Sequence, residues 1–136
     1  MHKLNIRNRI FLVISVTTLL SVAFLSSGNN SIDLDQPGLK VHRSAVILEG
    51  QLERALKFAK EVTEYGNKNY PGLNVQVYRE VVGEGGKIHW FMDFENMEEI
   101  EELIQKSSTD AGYAEIIASA EGVFEVPVDL VLQSIY

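Results

Sequence analysis

The sequence predicts an α+β domain in which a four-stranded antiparallel sheet carries its helices on one face, the split βαβ arrangement. Three observations predict it. β-rich runs and helix-period runs alternate in the order strand, helix, strand, strand, broken helix, strand. A glycine-rich connection joins the two middle strands, as in a hairpin. Finally, 46% of the 136 residues are hydrophobic, which suffices for one core in a chain of this length.

The first strand is read in "VHRSAVILEG", which is β-rich and closes on Gly50. Leu52, Ala55, Leu56, Ala59 and Val62 then recur at the spacing of a one-faced helix, with Lys57, Lys60, Glu61 and Glu64 on its other side. That helix is expected to end in "YGNKNYPG", with Gly66 as a left-handed cap and Pro71-Gly72 as a turn. "LNVQVYREVV", "GEGG" and "KIHWFMDF" make the hairpin. Asn96 and Glu99 have the spacing of a capping box, so a helix should start at Met97. In it Met97, Ile100, Leu103 and Ile104 face the core, while Glu98, Glu99, Glu101 and Glu102 face water near the positive end of the helix dipole. "SSTD" breaks this helix and opens another carrying Tyr113, Ile116, Ile117 and Ala120. The last strand is placed in "VFEVPVDLVLQSIY", with Phe124, Val126, Val128, Leu130 and Leu132 as one apolar face. Pro127 lacks a donor for a ladder, which marks that strand as an edge or as bulged.

Ahead of this domain, Lys3, Arg7 and Arg9 precede the uncharged run "IFLVISVTTLLSVAFL", after which "SSGNNS" turns polar. A basic start, an apolar run and small residues follow the order of a secretory signal. The 16 apolar residues would reach about 24 Å as a helix against about 30 Å of hydrocarbon core, which favours export over a full span. Ser26-Ser27-Gly28 is a poor cleavage site, so an uncleaved membrane anchor through residues 10–25 stays open beside a cleaved signal. Either way the domain is expected outside the cytoplasm, periplasmic or secreted. Residues 1–28 are read as this signal or anchor, 29–40 with its Pro37-Gly38 turn as a linker, and 41–136 as the folded domain.

Composition narrows the chemistry. The chain has no cysteine, which removes disulfides, thiolate metal sites and thiol nucleophiles. Beyond residue 30 it carries nine basic against 19 acidic residues, a surface that repels phosphate backbones, so no nucleic-acid partner is expected. "GEGG" has the glycines of a phosphate loop, yet no helix and no Lys-Ser/Thr follow it. There is no GxSxG, HxH or HExxH, and the Glu98 to Glu102 run lacks the alternation of a calcium loop. No metal and no cofactor are expected.

The hairpin supplies the candidate site. A turn centred on Glu84-Gly85 pairs residues whose numbers sum to 169, and alternation then sorts two faces. Val75, Val77, Arg79 and Val81 share one with Ile88, Trp90, Met92 and Phe94, which belongs under the helices. Gln76, Tyr78, Glu80 and Val82 share the other with Lys87, His89, Phe91 and Asp93. On this open face His89 stands opposite Glu80, so the two can be read as a general base and the carboxylate that stabilises its imidazolium. Tyr78, Phe91, Asp93 and Gln76 would line a ligand site around them. The plainer reading is a cross-strand polar pair. His42 is the other histidine able to approach this face, in a register that sequence cannot fix.

The element order and the segment "VQVYREVVGEGGKIHWFMDFENMEEIEEL" resemble the dimeric α/β-barrel superfamily, near the antibiotic-biosynthesis monooxygenase-like and stress-responsive barrel proteins, over Val41 to Tyr136. The resemblance implies ferredoxin-like protomers that pair sheet against sheet around a barrel. It carries no catalytic signature onto named residues. Pairing would also cover Tyr78, Val82 and Phe91. The resulting expectation is an exported homodimer that binds a small aromatic or apolar molecule between its two sheets. Its rivals are a cofactor-independent enzyme, monooxygenase-like or isomerase/cyclase-like, acting on an aromatic or carbonyl substrate, and a membrane-tethered interaction module.

Overall fold

The computed structural model describes residues 38–83 and 86–135. The expected signal or anchor, most of the linker and the Glu84-Gly85 turn centre lie outside them. Among the described residues no helix is long and apolar enough to cross a membrane.

The chain forms β1 (Leu39–Val46), α1 (Leu52–Asn69), β2 (Val75–Arg79), β3 (Lys87–Phe94), α2 (Met97–Ser108), α3 (Ala111–Ser119) and β4 (Val128–Gln133). The four strands make one antiparallel sheet in the order β2-β3-β1-β4, with β1 paired to both β3 and β4. This is the ferredoxin-like α+β fold expected from the element order. β1 begins two residues before the expected domain start.

Alternation along β1 and β3 sends Leu39, Val41, Ala45, Ile88, Trp90 and Phe94 into the core beneath the helices. Two clusters result. One gathers Phe58, Trp90 and Phe124 with Ala55, Ala59 and Val123; the other gathers Leu39, Val41 and Phe94 around Ile100. The α1 stripe differs from the one expected. Leu52 and Leu56 are exposed at the edge of the helix, and Phe58 takes the inner position with Ala55 and Ala59. Both sets satisfy the same helical spacing, and the large ring of Phe58 is the one that meets Trp90 and Phe124.

Gly66 does not end α1. It is buried inside the helix, which continues to Asn69, and the left-handed turn falls on Gly72 instead. Asn67 then pins the start of β2, accepting from Val75 N and donating to Val75 O at 2.8 and 3.1 Å. Asn96 caps α2 by accepting from Glu99 N, as expected, while the Glu99 carboxylate accepts from Glu95 N, one residue earlier than a capping box requires. Asp110 caps α3.

β4 is an edge strand, as Pro127 indicated, but it is shorter than the run read from sequence. Phe124 precedes it, bridges to Ile47 and is buried in the core, so it does not share the face of Val128, Leu130 and Leu132.

Candidate functional site

The β2-β3 hairpin pairs Tyr78 with His89, Gln76 with Phe91 and Val77 with Trp90. The register sums to 167, two less than expected. Because side chains repeat every two residues, the faces of Val75 to Arg79 and of Lys87 to Phe94 are those expected and only the partners change, whereas Val81 and Val82 lie beyond the end of β2 and are exposed, so Val81 does not reach the core. His89 therefore stands opposite Tyr78. The Glu80 amide donates to the Lys87 carbonyl at 3.0 Å, one step further along the ladder. One Glu80 carboxylate oxygen lies so close to Gly83 that a Cβ there would collide with it, and the other is buried without a partner among the described residues. The expected pair of His89 and Glu80 is thus not assembled.

The partner of His89 is His42. His42 Nε2 and His89 Nδ1 are 2.9 Å apart, so one ring donates and the other accepts. The β1-β3 register sets this meeting, since it places His42 across from Phe91 and Ser44 across from His89. His42 also stacks on Phe91 at 4.5 Å and 8°, and Tyr78 meets Phe91 edge to face at 5.7 Å. Of the other expected ligand residues, Gln76 accepts from the Tyr78 hydroxyl at 3.1 Å, and Asp93 pairs with Lys40 at 3.1 Å in solvent. Burial and the neighbouring His89 lower the His42 pKa below its ordinary 6.5, against a weaker opposing pull from Asp129. Tyr78, Val128, Leu130 and Leu132 leave 54, 58, 48 and 45% of their surface exposed on the same face, which makes it an apolar sheet surface with a histidine pair in it.

On the opposite face, between the sheet and the helices, a cavity of about 140 Å³ opens. Its wall is mainly aliphatic and aromatic, with Phe58, Trp90, Phe94 and Phe124 among its rings. Arg43 reaches the wall from β1, where it occupies a core-facing position between Val41 and Ala45. Its guanidinium makes a two-pronged ion pair with Asp129 of β4, both contacts 2.7 Å, and the two side chains are only 18 and 5% exposed.

Tyr70 and Tyr113 also line the cavity. Tyr70 and Tyr65 each donate a 2.7 Å hydrogen bond to Asp110, which accepts from Tyr113 N at 3.1 Å as well. The bonds from Tyr70, Tyr65 and that amide hold Asp110 below its usual range. Burial first, then the Asp110 bond, pushes the Tyr70 hydroxyl well above 10. Burial likewise raises Tyr113, partly opposed by Arg43.

None of Arg43, Tyr70, Tyr113 or Asp110 was singled out as functional from sequence. The one legible signal was a charged Arg43 at an apolar parity in β1, matched by Asp129 at the corresponding parity in β4. Among the described residues no group of three or more His, Cys, Asp or Glu is placed to hold a metal ion.

The family model described as a family of unknown function, DUF6039, matches residues 15–123. The chain belongs to the DUF6039 family. No curated protein matches it. Its fold is similar to that of a NIPSNAP family protein of unknown function from Agrobacterium tumefaciens, with a TM-score of 0.62 and 13% identity over 74% of this chain and 89% of that one. An antibiotic biosynthesis monooxygenase-like protein from Caulobacter crescentus also gives 0.62, at 14% identity over 76% and 94%. A dimeric protein of unknown function and ferredoxin-like fold from Bacteroides fragilis gives 0.56, at 13% identity over 73% and 98%. At these identities the likeness establishes the fold alone.

Proposed function

We propose that this DUF6039 protein is an exported, homodimeric small-molecule-binding protein whose ligand occupies the cavity between sheet and helices in each protomer. The observation that carries the reading is the 140 Å³ space walled by aromatic and aliphatic side chains around the Arg43-Asp129 pair. Binding sites are typically apolar hollows with a few fixed polar groups. The reading puts the ligand on the helix side because a hollow forms there within the single protomer. The open face, with its exposed Tyr78, Val128, Leu130 and Leu132, then serves for twofold pairing with a second copy. The Bacteroides fragilis neighbour, described as dimeric, supports that use of the fold. Export rests on Lys3, Arg7 and Arg9 ahead of the apolar residues 10–25.

Native mass spectrometry of the protein recovered without denaturant tests this reading. The expected result is a dimer with extra retained mass, lost when Ile104→Trp fills the cavity while far-ultraviolet circular dichroism is unchanged. A ligand-free monomer would overturn it.

A further inference from the structure

We infer that the cavity takes a neutral, one-ring molecule of the ketone class, and that the Tyr113 hydroxyl, presented by α3, is the donor that holds its oxygen. This rests on the cavity reading above and adds the chemical class of the ligand.

The polar side chains of the wall divide by whether they still have a bond to offer. Arg43 is held by Asp129 through two hydrogen bonds. The Tyr70 hydroxyl donates to Asp110, and Ser107 and Ser108 donate to the carbonyls of Ile104 and Gln105 within their own helix. Trp90 Nε1 has no partner among the described residues, but it is sealed inside the protein and nothing in the cavity can reach it. That leaves Tyr113. Its backbone amide donates to Asp110, yet its hydroxyl makes no hydrogen bond among the described residues, and its oxygen is not sealed as the Trp90 nitrogen is.

Its place in the fold explains why the hydroxyl is open. Tyr65, Tyr70 and Tyr113 form one ring cluster, with centroids 6.4 to 6.5 Å apart. The Asp110 carboxylate is taken by the hydroxyls of the other two and by the Tyr113 amide. The charges that act on the Tyr113 hydroxyl are instead those of Arg43 and Asp129, so this end of the ring stands by the ion pair, whose arginine lines the cavity. Burial raises the pKa of the hydroxyl, so its oxygen lies deep, and the space it opens on is the hollow.

A phenol hydroxyl kept neutral by burial donates to an oxygen acceptor, and leaving such a donor unanswered costs free energy that a carbonyl recovers. A water can take that bond without filling the aliphatic and aromatic wall around it, whereas a carbonyl on an apolar ring does both. The size follows from the space: an apolar cavity on the order of 150 Å³ holds a benzene-sized guest, and this one has about 140 Å³. Neutrality follows from charge: the carboxylate of Asp129 already matches Arg43, so a second anion would be buried uncompensated.

Cyclohexanone and methylenecyclohexane, which carries a CH2 in place of the carbonyl oxygen, form a matched probe pair. Titrations followed through the Leu103 and Ile104 methyl signals should show cyclohexanone binding about tenfold more tightly, the worth of one hydrogen bond. The carbonyl stretch of the bound ketone should fall below its frequency in alkane solvent. In Tyr113→Phe the preference should vanish and the stretch should move back up, while methylenecyclohexane binds as before, which also reports an intact cavity. Equal affinities or an unshifted stretch in the wild type, or a preference that survives Tyr113→Phe, would overturn the inference and leave the cavity reading standing. If neither probe perturbs those methyl signals, the cavity reading itself falls, and this inference with it.

Discussion

His42 Nε2 and His89 Nδ1 sit 2.9 Å apart on the open face of the sheet, joined across β1 and β3 with no carboxylate in the contact. Burial and the neighbouring His89 depress the pKa of His42, so the folded state binds a proton there less readily than the unfolded chain. The contribution of His42 to stability is therefore complete above about pH 6.5 and is lost as pH falls through its depressed value. Denaturant midpoints at pH 7.5 and 5 should show a loss that His42→Gln reduces. An identical loss in the variant would remove His42 as its source. Lys40, Lys87 and Asp93 are further charged groups on this face.

The Arg43-Asp129 pair ties the edge strand to the sheet from inside. Asp129→Ala leaves a largely buried guanidinium without its countercharge and should destabilise by about 3–5 kcal/mol. Arg43→Met combined with Asp129→Leu should recover most of that loss, because it removes both desolvated charges. Equilibrium urea unfolding of the single and double variants measures both effects. A double variant no more stable than Asp129→Ala would show that the pair acts through something besides charge.

Asp110 works at both ends of the pH scale. Its lowered pKa supplies stability above about pH 3.8 that is lost as pH falls through the folded value. The raised hydroxyl of Tyr70 supplies stability below about pH 10 that is lost as pH rises through its folded value. Asp110→Ala should narrow the stable range on both sides, and absorbance at alkaline pH should show Tyr70 and Tyr65 ionising earlier.

Gly112 has a related constraint. A Cβ there would stand 2.5 Å from the Tyr65 hydroxyl oxygen and 3.1 Å from the ring carbon bearing it. Gly112→Ala should therefore displace Tyr65 from Asp110 and lower the thermal midpoint. If Tyr65 still ionises late in this variant, the ring has found room elsewhere.

Pairing through the open face makes a separate prediction. Leu130→Glu places a charge on the exposed side of β4, where the protomer does not need the leucine, so circular dichroism should be unchanged. Light scattering should report a monomer in place of a dimer. An unchanged dimer would move the interface off this face.

The sequence by itself determined the fold and the two faces of its sheet. Element order reads directly from hydrophobic period, and the faces survive a register error of two because side chains alternate with period two. Thus Trp90 was legible as core and His89 as open-face, although the pairing sum was 167 and not 169. Asn96 was legible as a cap because capping is local. Which partners those residues meet was decided by tertiary structure alone. His42 finds His89, and Arg43 finds Asp129, through the pairing of β1 with strands distant in the chain, whose registers no local pattern fixes. The cavity and the open Tyr113 hydroxyl depend on how three helices seat on the sheet, which is a matter of packed volume that a periodicity of apolar residues does not contain.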